Sequence, residues 1–192
     1  MGITTDEFFE NIYSVVFSPK SFFEREDIKI STRLALATIT FVAAVNTLAS
    51  GIFNGNIHSI FYIFIFLWNI ILTVAVWFLT ALFFEYTAKI FDKGGKLDKL
   101  LFFTAFAPIP YLFFAPLNLL KGIGETGYIF AVLIEVCLYF WIITLYAFSL
   151  GGTYNISFSR SFMLIFLPFI ASFFAVYQIV CFFCKICYIF SV

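Results

Sequence analysis

Charged side chains are scarce in this sequence. Asp, Glu, Lys and Arg make up 11% of the 192 residues, whereas hydrophobic residues make up 63%. An ordinary water-soluble domain is about a quarter charged. The composition therefore excludes a soluble protein, and the lack of a soluble basic face also excludes a nucleic-acid-binding protein.

Groups that carry catalytic chemistry are scarce as well. His58 is the only histidine, and no GxxxxGK[ST] loop occurs. A metalloprotease site of the two-histidine type and a histidine-activated serine are thus not predicted. The missing loop argues against a nucleotide-driven motor. We expect no enzyme activity and no cofactor.

Cysteines are few and poorly arranged for a metal. Three of the four stand near the end of the last apolar run, at Cys181, Cys184 and Cys187, and the fourth is Cys137. A tetrahedral zinc site needs ligands that converge on one point, whereas thiols stepping along one helix do not. We expect no metal site and interpret these residues as small apolar side chains, with acylation or a disulfide left open.

Long hydrophobic runs are what the sequence does have. Five of them approach or exceed the ~20 residues that cross a bilayer core, and they span residues 34–53, 60–84, 100–120, 128–150 and 162–183. The runs are apolar on every side, unlike the alternating strands of a membrane β-barrel. The pattern predicts an all-α membrane bundle of five transmembrane helices over residues 32–192, preceded by a segment over residues 1–31.

The distribution of basic residues predicts the orientation of this bundle. With the N-terminus in the cytoplasm, all of the 11 Lys and Arg residues except Lys121 and Lys185 fall on the cytoplasmic side. The positive-inside rule then favours a cytoplasmic N-terminus, an outside C-terminus and cytoplasmic connections at residues 85–99 and 151–161.

The segment over residues 1–31 begins with an amphipathic pattern. Thr4 and Glu7 fit a capping box. An apolar stripe at helical spacing follows, made of Phe8, Phe9, Ile12, Tyr13 and Val16. Such a helix can lie in the headgroup plane with its aromatic face down, or it can pack on the bundle. Both arrangements stay open at this point.

Prolines interrupt two of the predicted spans. The third run contains Pro108, Pro110 and Pro116, and the fifth contains Pro168. A proline costs about 3 kcal/mol inside a helix, and lipid offers no hydrogen bonds to the groups it frees. We therefore predict that these helices are kinked or irregular at the prolines and that sister helices enclose the third run.

Polar residues inside the predicted spans form one layer at similar depth: Asn46, Asn69, Glu135 and Gln178. As a functional site, the layer would place a proton or cation at Glu135. As a structural feature, it would supply interhelical hydrogen bonds. We favour the second, because a single carboxylate without a buried basic partner is poorly equipped for coupled transport. Glu85 and Lys89 are predicted to form an exposed i,i+4 pair.

Three segments resemble the Yip domain family of Ypt/Rab-interacting membrane proteins: SVVFSPKSFFERE, GGKLDKLLFFTAFAPIPYLF and LGGTYNISFSRSFMLIFLP. The resemblance implies a five-helix membrane protein with a cytoplasmic N-terminus. Eukaryotic members are associated with small GTPases and vesicle traffic. The Asp-Leu-Tyr-Gly-Pro wording of those members does not occur here, so the resemblance gives a small GTPase partner little support. The chain more closely resembles the short prokaryotic members of this family, which implies a location in a prokaryotic cell membrane.

These observations together predict a noncatalytic membrane adaptor or organiser. Its partners would be the lipid bilayer and a membrane protein or a second copy of the chain. Its contact surface would face the cytoplasm and comprise Phe8, Phe9, Lys93, Lys96 and Lys99. The alternative is a transporter of small solutes, ions or lipids with a polar site near Glu135.

Overall fold

The computed structural model describes residues 5–25, 28, 30–53 and 60–167, and every regular element in these ranges is helical. The elements are α1 (Thr5–Phe17), α2 (Pro19–Glu24), α3 (Thr32–Phe53), α4 (Ile60–Ile90), α5 (Leu97–Phe106), a 3-10 helix (Ile109–Phe113), α6 (Phe114–Lys121), α7 (Glu125–Tyr154) and α8 (Phe158–Leu167). The predicted all-α class is confirmed.

Four stretches in the described ranges are long and apolar enough to cross a membrane: Thr32–Ile52, Phe61–Lys89, Leu97–Lys121 and Glu125–Tyr154. They overlap the first four predicted runs, and the chain is a multi-pass membrane protein. The fifth predicted span lies mostly outside the described residues, together with Pro168, Gln178 and the three clustered cysteines. His58 also lies outside them.

The third span is divided at its prolines. Helix α5 ends at Phe106, a 3-10 helix follows, and α6 restarts the α-helix at Phe114. Pro108 caps the 3-10 helix, Pro110 lies in its first turn, and Pro116 lies in the first turn of α6. Residues at such early positions have no intrahelical partner for an N–H group, so proline costs little there. The predicted irregularity thus takes the form of three short helices in series.

This divided span is also the most enclosed of the four. In the most apolar 18-residue window of this span, 67% of the residues are buried. In the corresponding windows of the other three spans, 33% or fewer are buried. Helices α3, α4 and α7 all contact α5. The prediction that sister helices enclose the third run is confirmed for residues 100–110, which are all buried and include Pro108 and Pro110, whereas Phe113 and Pro116 are exposed.

Helix α1 packs along the bundle with one face only. Val15 is fully buried, and Phe8, Ile12 and Val16 pack partly buried against the same core. The ring of Phe8 meets that of Phe41 edge to face at 5.7 Å. The predicted stripe therefore splits: Phe8, Ile12 and Val16 contact protein, whereas Phe9 and Tyr13 are exposed, as is Phe17, which was not part of the prediction.

Candidate functional site

Glu85 is the central residue of a buried polar junction at one end of the bundle. Its side chain belongs to α4 and is only 5% exposed. The backbone N–H of Gly95 donates to its Oε1 atom, and the hydroxyl of Tyr154 donates to its Oε2 atom at 2.5 Å. These bonds offset the cost of removing a carboxylate from water. The predicted exposed pair with Lys89 was wrong, because α5 and α7 close over this side of α4.

A glycine pair lets the connection between α4 and α5 reach Glu85. Gly95 has φ +96, a conformation that only glycine adopts without strain from a Cβ atom. A Cβ atom on Gly94 would overlap the side chain of Lys89. Before this pair, Asp92 takes a left-handed conformation and Lys93 N–H bonds to Ala88 O at 3.0 Å, which closes the end of α4. The tight turn directs the Gly95 amide at the carboxylate.

The end of α7 contributes the second donor. Tyr154 is the last residue of this helix and is 2% exposed. Asn155 follows in a left-handed conformation, and Ile156 N–H bonds to Gly151 O at 3.3 Å. Helices α4 and α7 therefore end in the same kind of motif. The connection that follows α4 supplies one hydrogen-bond donor to Glu85, and the last residue of α7 supplies the other.

Helix α2 joins the junction through a backbone contact with α7. A Cβ atom on Gly152 would collide with the carbonyl oxygen of Phe23, so the two backbones lie directly against each other. The rings of Phe22 and Phe23 are fully buried against α5, with centroids 5.9 and 5.3 Å from that of Phe103. We call the group of Phe23, Glu85, Gly95, Gly152 and Tyr154 the Glu85 junction.

The Glu85 junction brings together the three segments that carry the family resemblance. The Ser-Pro-Lys segment supplies Phe23, the first Gly-Gly segment supplies Gly95, and the second supplies Gly152 and Tyr154. Sequence reasoning missed this site because Glu85 looked like a surface residue one turn before a lysine. The signal that could have revealed it is the pair of Gly-Gly motifs, one followed by a tyrosine.

The predicted polar layer does not form one cluster among the described residues. Asn46 and Asn69 line the same cavity between α3 and α4. Glu135 instead makes an ion pair with Lys121 across α6 and α7, with Nζ and Oε1 2.5 Å apart. Gln178 lies outside the described residues. Glu135 thus has the basic partner that the sequence did not reveal.

The predicted contact surface is divided in the same way. Phe9, Lys93 and Lys96 are exposed. Phe8 packs on the bundle, and the ammonium group of Lys99 lies 5.4 Å from the ring centroid of Phe103. Over the described ranges, no three His, Cys, Asp or Glu residues are grouped as a metal site would require. The chemistry of the Glu85 junction is hydrogen bonding and packing, which hold α2, the α4–α5 connection and α7 in one arrangement.

Comparison with known proteins identifies one family. The family model described as Yip1 domain matches residues 13–179, a range that includes the whole Glu85 junction. No curated protein matches the chain. No solved structure matches it either.

Proposed function

The chain belongs to the Yip1 domain family, and from this premise we propose that it acts as a noncatalytic adaptor or organiser in the membrane. The observation that carries the proposal is a stripe of three exposed aromatic rings on α1, made of Phe9, Tyr13 and Phe17. Each is at least 60% exposed. Their spacing of four residues places them on one face of the helix. A rigid apolar stripe of this kind is suited to contact lipid or the apolar face of a partner.

The position of this stripe follows from the packing behind it. Phe8 contacts Phe41, nine residues into α3, which corresponds to about 13 Å along that helix. Helix α2 continues from α1 after Ser18 and is held against α7 at Gly152. The bundle therefore supports α1 from one side and leaves the stripe on the other. In this proposal the Glu85 junction is the base that keeps the stripe in place.

We further propose that this end of the bundle faces the cytoplasm, in a prokaryotic cell membrane, with the C-terminus outside. The excess of Lys and Arg in the segments near the Glu85 junction supports this orientation. Exposed Lys93 and Lys96 would then attract anionic lipid at about 1 kcal/mol each. The proposed partners of the chain are the bilayer and either a membrane protein or a second copy of the chain. No observation specifically supports a small GTPase as a partner.

Photo-crosslinking in native membranes tests the adaptor role. A photoreactive phenylalanine analogue at position 13 should form a discrete protein adduct that disappears when Phe9 and Phe17 are changed to alanine. The matched control is the same probe at Tyr128, which is similarly exposed on α7. Identical adducts from both positions would contradict a specific contact surface, because they would reflect only general exposure in the membrane.

A flux assay separates this proposal from the transporter alternative. We expect purified protein in liposomes to pass no ion or small solute above the level of empty liposomes. This expectation no longer depends on Glu135 lacking a basic partner, since Lys121 is one; it now depends on the ion pair, in which the Lys121 ammonium group already balances the charge of that carboxylate. Flux that is present in the wild type and lost in Glu135→Gln would support transport and contradict the adaptor role.

A further inference from the structure

A cavity of about 820 Å³ opens between α3 and α4, away from the Glu85 junction. Its volume lies within the range of small-molecule binding sites. Both walls belong to helices that are long and apolar enough to cross a membrane, and the cavity extends along them from Thr80 to Gly51 and Phe61. The polar side chains on these walls are Asn46, Thr47, Ser50, Asn69, Thr73, Thr80 and Tyr62, and the hydroxyl of Tyr62 donates to the carbonyl oxygen of Thr47.

The hydroxyl groups on these walls present acceptors to the cavity. Those of Thr47, Thr73 and Thr80 each donate their hydrogen to the carbonyl four residues earlier in the same helix, at 2.7 to 2.8 Å. Ser50 does the same at 2.9 Å. A hydroxyl has one hydrogen and two acceptor lone pairs. Because each hydroxyl hydrogen is donated inside its own helix, these hydroxyl oxygens can only accept hydrogen bonds from a ligand.

The two amides add a donor and further acceptors. Asn46 uses one N–H on the carbonyl of Val42 at 3.0 Å, and its side-chain carbonyl stays available. The side-chain amide of Asn69 makes no hydrogen bond with any residue that the structure describes. An amide facing hydrocarbon without a partner costs several kcal/mol. Asn69 is exposed, and a ligand group that can both accept and donate would pair with its amide.

The charge of the cavity limits what that ligand can be. Among the residues that the structure describes, none that lines the cavity is Asp, Glu, Lys, Arg or His. An ion or a phosphate head would be left without a counter-charge, at high cost in a membrane interior. Apolar and aromatic side chains, among them Trp77, Tyr111 and Tyr146, form much of the remaining wall and suit a hydrocarbon chain. The indole N–H of Trp77 is already donated to Thr104 Oγ1 at 3.1 Å.

We propose that this cavity binds one membrane lipid with an uncharged, hydroxyl-bearing head, the chemical class of diacylglycerol. The head hydroxyl donates to the acceptors on α3 and α4 and accepts from the amide of Asn69. The acyl chains extend along the apolar wall toward the bilayer. The proposal depends on the membrane location of α3 and α4 and is independent of the adaptor role of α1.

Photolabelling in nanodiscs tests this site. The full-length protein is reconstituted in phosphatidylcholine with a small fraction of diacylglycerol that carries a diazirine on its acyl chain, irradiated and mapped by mass spectrometry. We expect labels to concentrate on α3 and α4 beside the cavity. Asn69→Leu should lower this labelling about tenfold, as expected for the loss of two hydrogen bonds. Each variant is compared with the wild type by circular dichroism and gel filtration, so that misfolded protein is not scored.

A pair of matched variants separates the cavity from the rest of the membrane surface. Thr73 and Thr144 make the same i−4 hydrogen bond, but only Thr73 lines the cavity. We expect Thr73→Val to lower labelling about threefold and Thr144→Val to leave it unchanged. Equal effects of the two variants, or no effect of Asn69→Leu, would overturn the proposal.

Competition and intramolecular crosslinking identify the occupant. Unlabelled diacylglycerol should displace the probe, whereas phosphatidic acid at the same concentration should not. Equal displacement by the two lipids would overturn the uncharged-head assignment. A photoreactive residue at Ile65 that crosslinks to residues 168–192 of the same chain, with no diacylglycerol adduct, would show that the chain fills the cavity itself and would also overturn the proposal.

Discussion

Single residues at the Glu85 junction are important because of close contacts with residues that are distant in the sequence. Gly152 matters because it has no Cβ atom where the carbonyl of Phe23 lies. Glu85 matters because two donors from different parts of the chain reach it. In the sequence, Gly152 is marked only as part of a Gly-Gly pair, and Glu85 does not differ from the other acidic residues of the chain. Their importance comes from their neighbours.

We predict that Gly152→Ala destabilises the protein by about 1–3 kcal/mol, because α2 must move away from α7 to admit the new methyl group. Thermal unfolding in detergent, followed by tryptophan fluorescence, measures the change. Gly122→Ala is the matched control, since a Cβ atom there would lie 3.4 Å from the Leu119 carbonyl oxygen, an ordinary contact. Equal loss of stability in both variants would contradict the close approach at Gly152.

Tyr154→Phe should cost about 1–3 kcal/mol, because it leaves one oxygen of the buried Glu85 carboxylate without a donor. A double-mutant cycle with Glu85→Leu tests whether the loss comes from the Tyr154–Glu85 hydrogen bond. Once the carboxylate is absent, removal of the Tyr154 hydroxyl should cost much less, so the two effects should be non-additive. Tyr86→Phe provides the control, since Tyr86 is 68% exposed. Simple additivity of the Glu85 and Tyr154 changes would argue against the bond.

Whole helices in this chain differ in what surrounds them more than in their composition. The third span and α4 are both strongly apolar, but they differ in burial. In their most apolar windows, 67% of the residues of the third span are buried and only 6% of those of α4. The prolines explain part of this contrast, because a divided helix is tolerated only where protein covers it. Sequence reasoning reached that result from residues 108, 110 and 116. It could not say which partners cover the span, since α3, α4 and α7 carry similar apolar faces.

An ion pair connects α6 to α7 and yields a prediction at this scale. Lys121→Met leaves Glu135 without its counter-charge, and we expect a loss of about 1–3 kcal/mol, less than for a fully buried pair because both side chains are partly exposed. The double variant Lys121→Met with Glu135→Leu should recover most of this loss, because no charge is then left unpaired. The measurement is a comparison of the thermal unfolding midpoints of the single and the double variant. A double variant no more stable than the single one would contradict the pairing.

The molecule as a whole places α2, the α4–α5 connection and the end of α7 at one end, and α1 extends from there along the bundle. The Glu85 junction makes this arrangement, and the family model covers it entirely. Which end faces the cytoplasm depends on the distribution of Lys and Arg. The orientation can therefore be tested independently of the fold.

We predict that position 96 faces the cytoplasm and position 123 faces outside. In a chain whose own cysteines are replaced by serine, Ile123→Cys should react with a membrane-impermeant maleimide in intact cells. Lys96→Cys should react only after the membrane is opened. Both positions lie in exposed segments, so access to water is comparable. The reverse pattern of labelling would place the Glu85 junction outside.

The amino-acid sequence by itself determined the helical class, the first four spans and the need to enclose the third. Hydrophobic length and proline chemistry act locally, so these features can be derived from residues close together in the chain. Only the tertiary structure decided that Glu85 is buried, that Glu135 pairs with Lys121, and that α1 divides its apolar residues between protein and surroundings. Each of these depends on which helices become neighbours. Nearly uniform apolar surfaces carry little information about that choice, because many pairings of such helices bury similar surfaces.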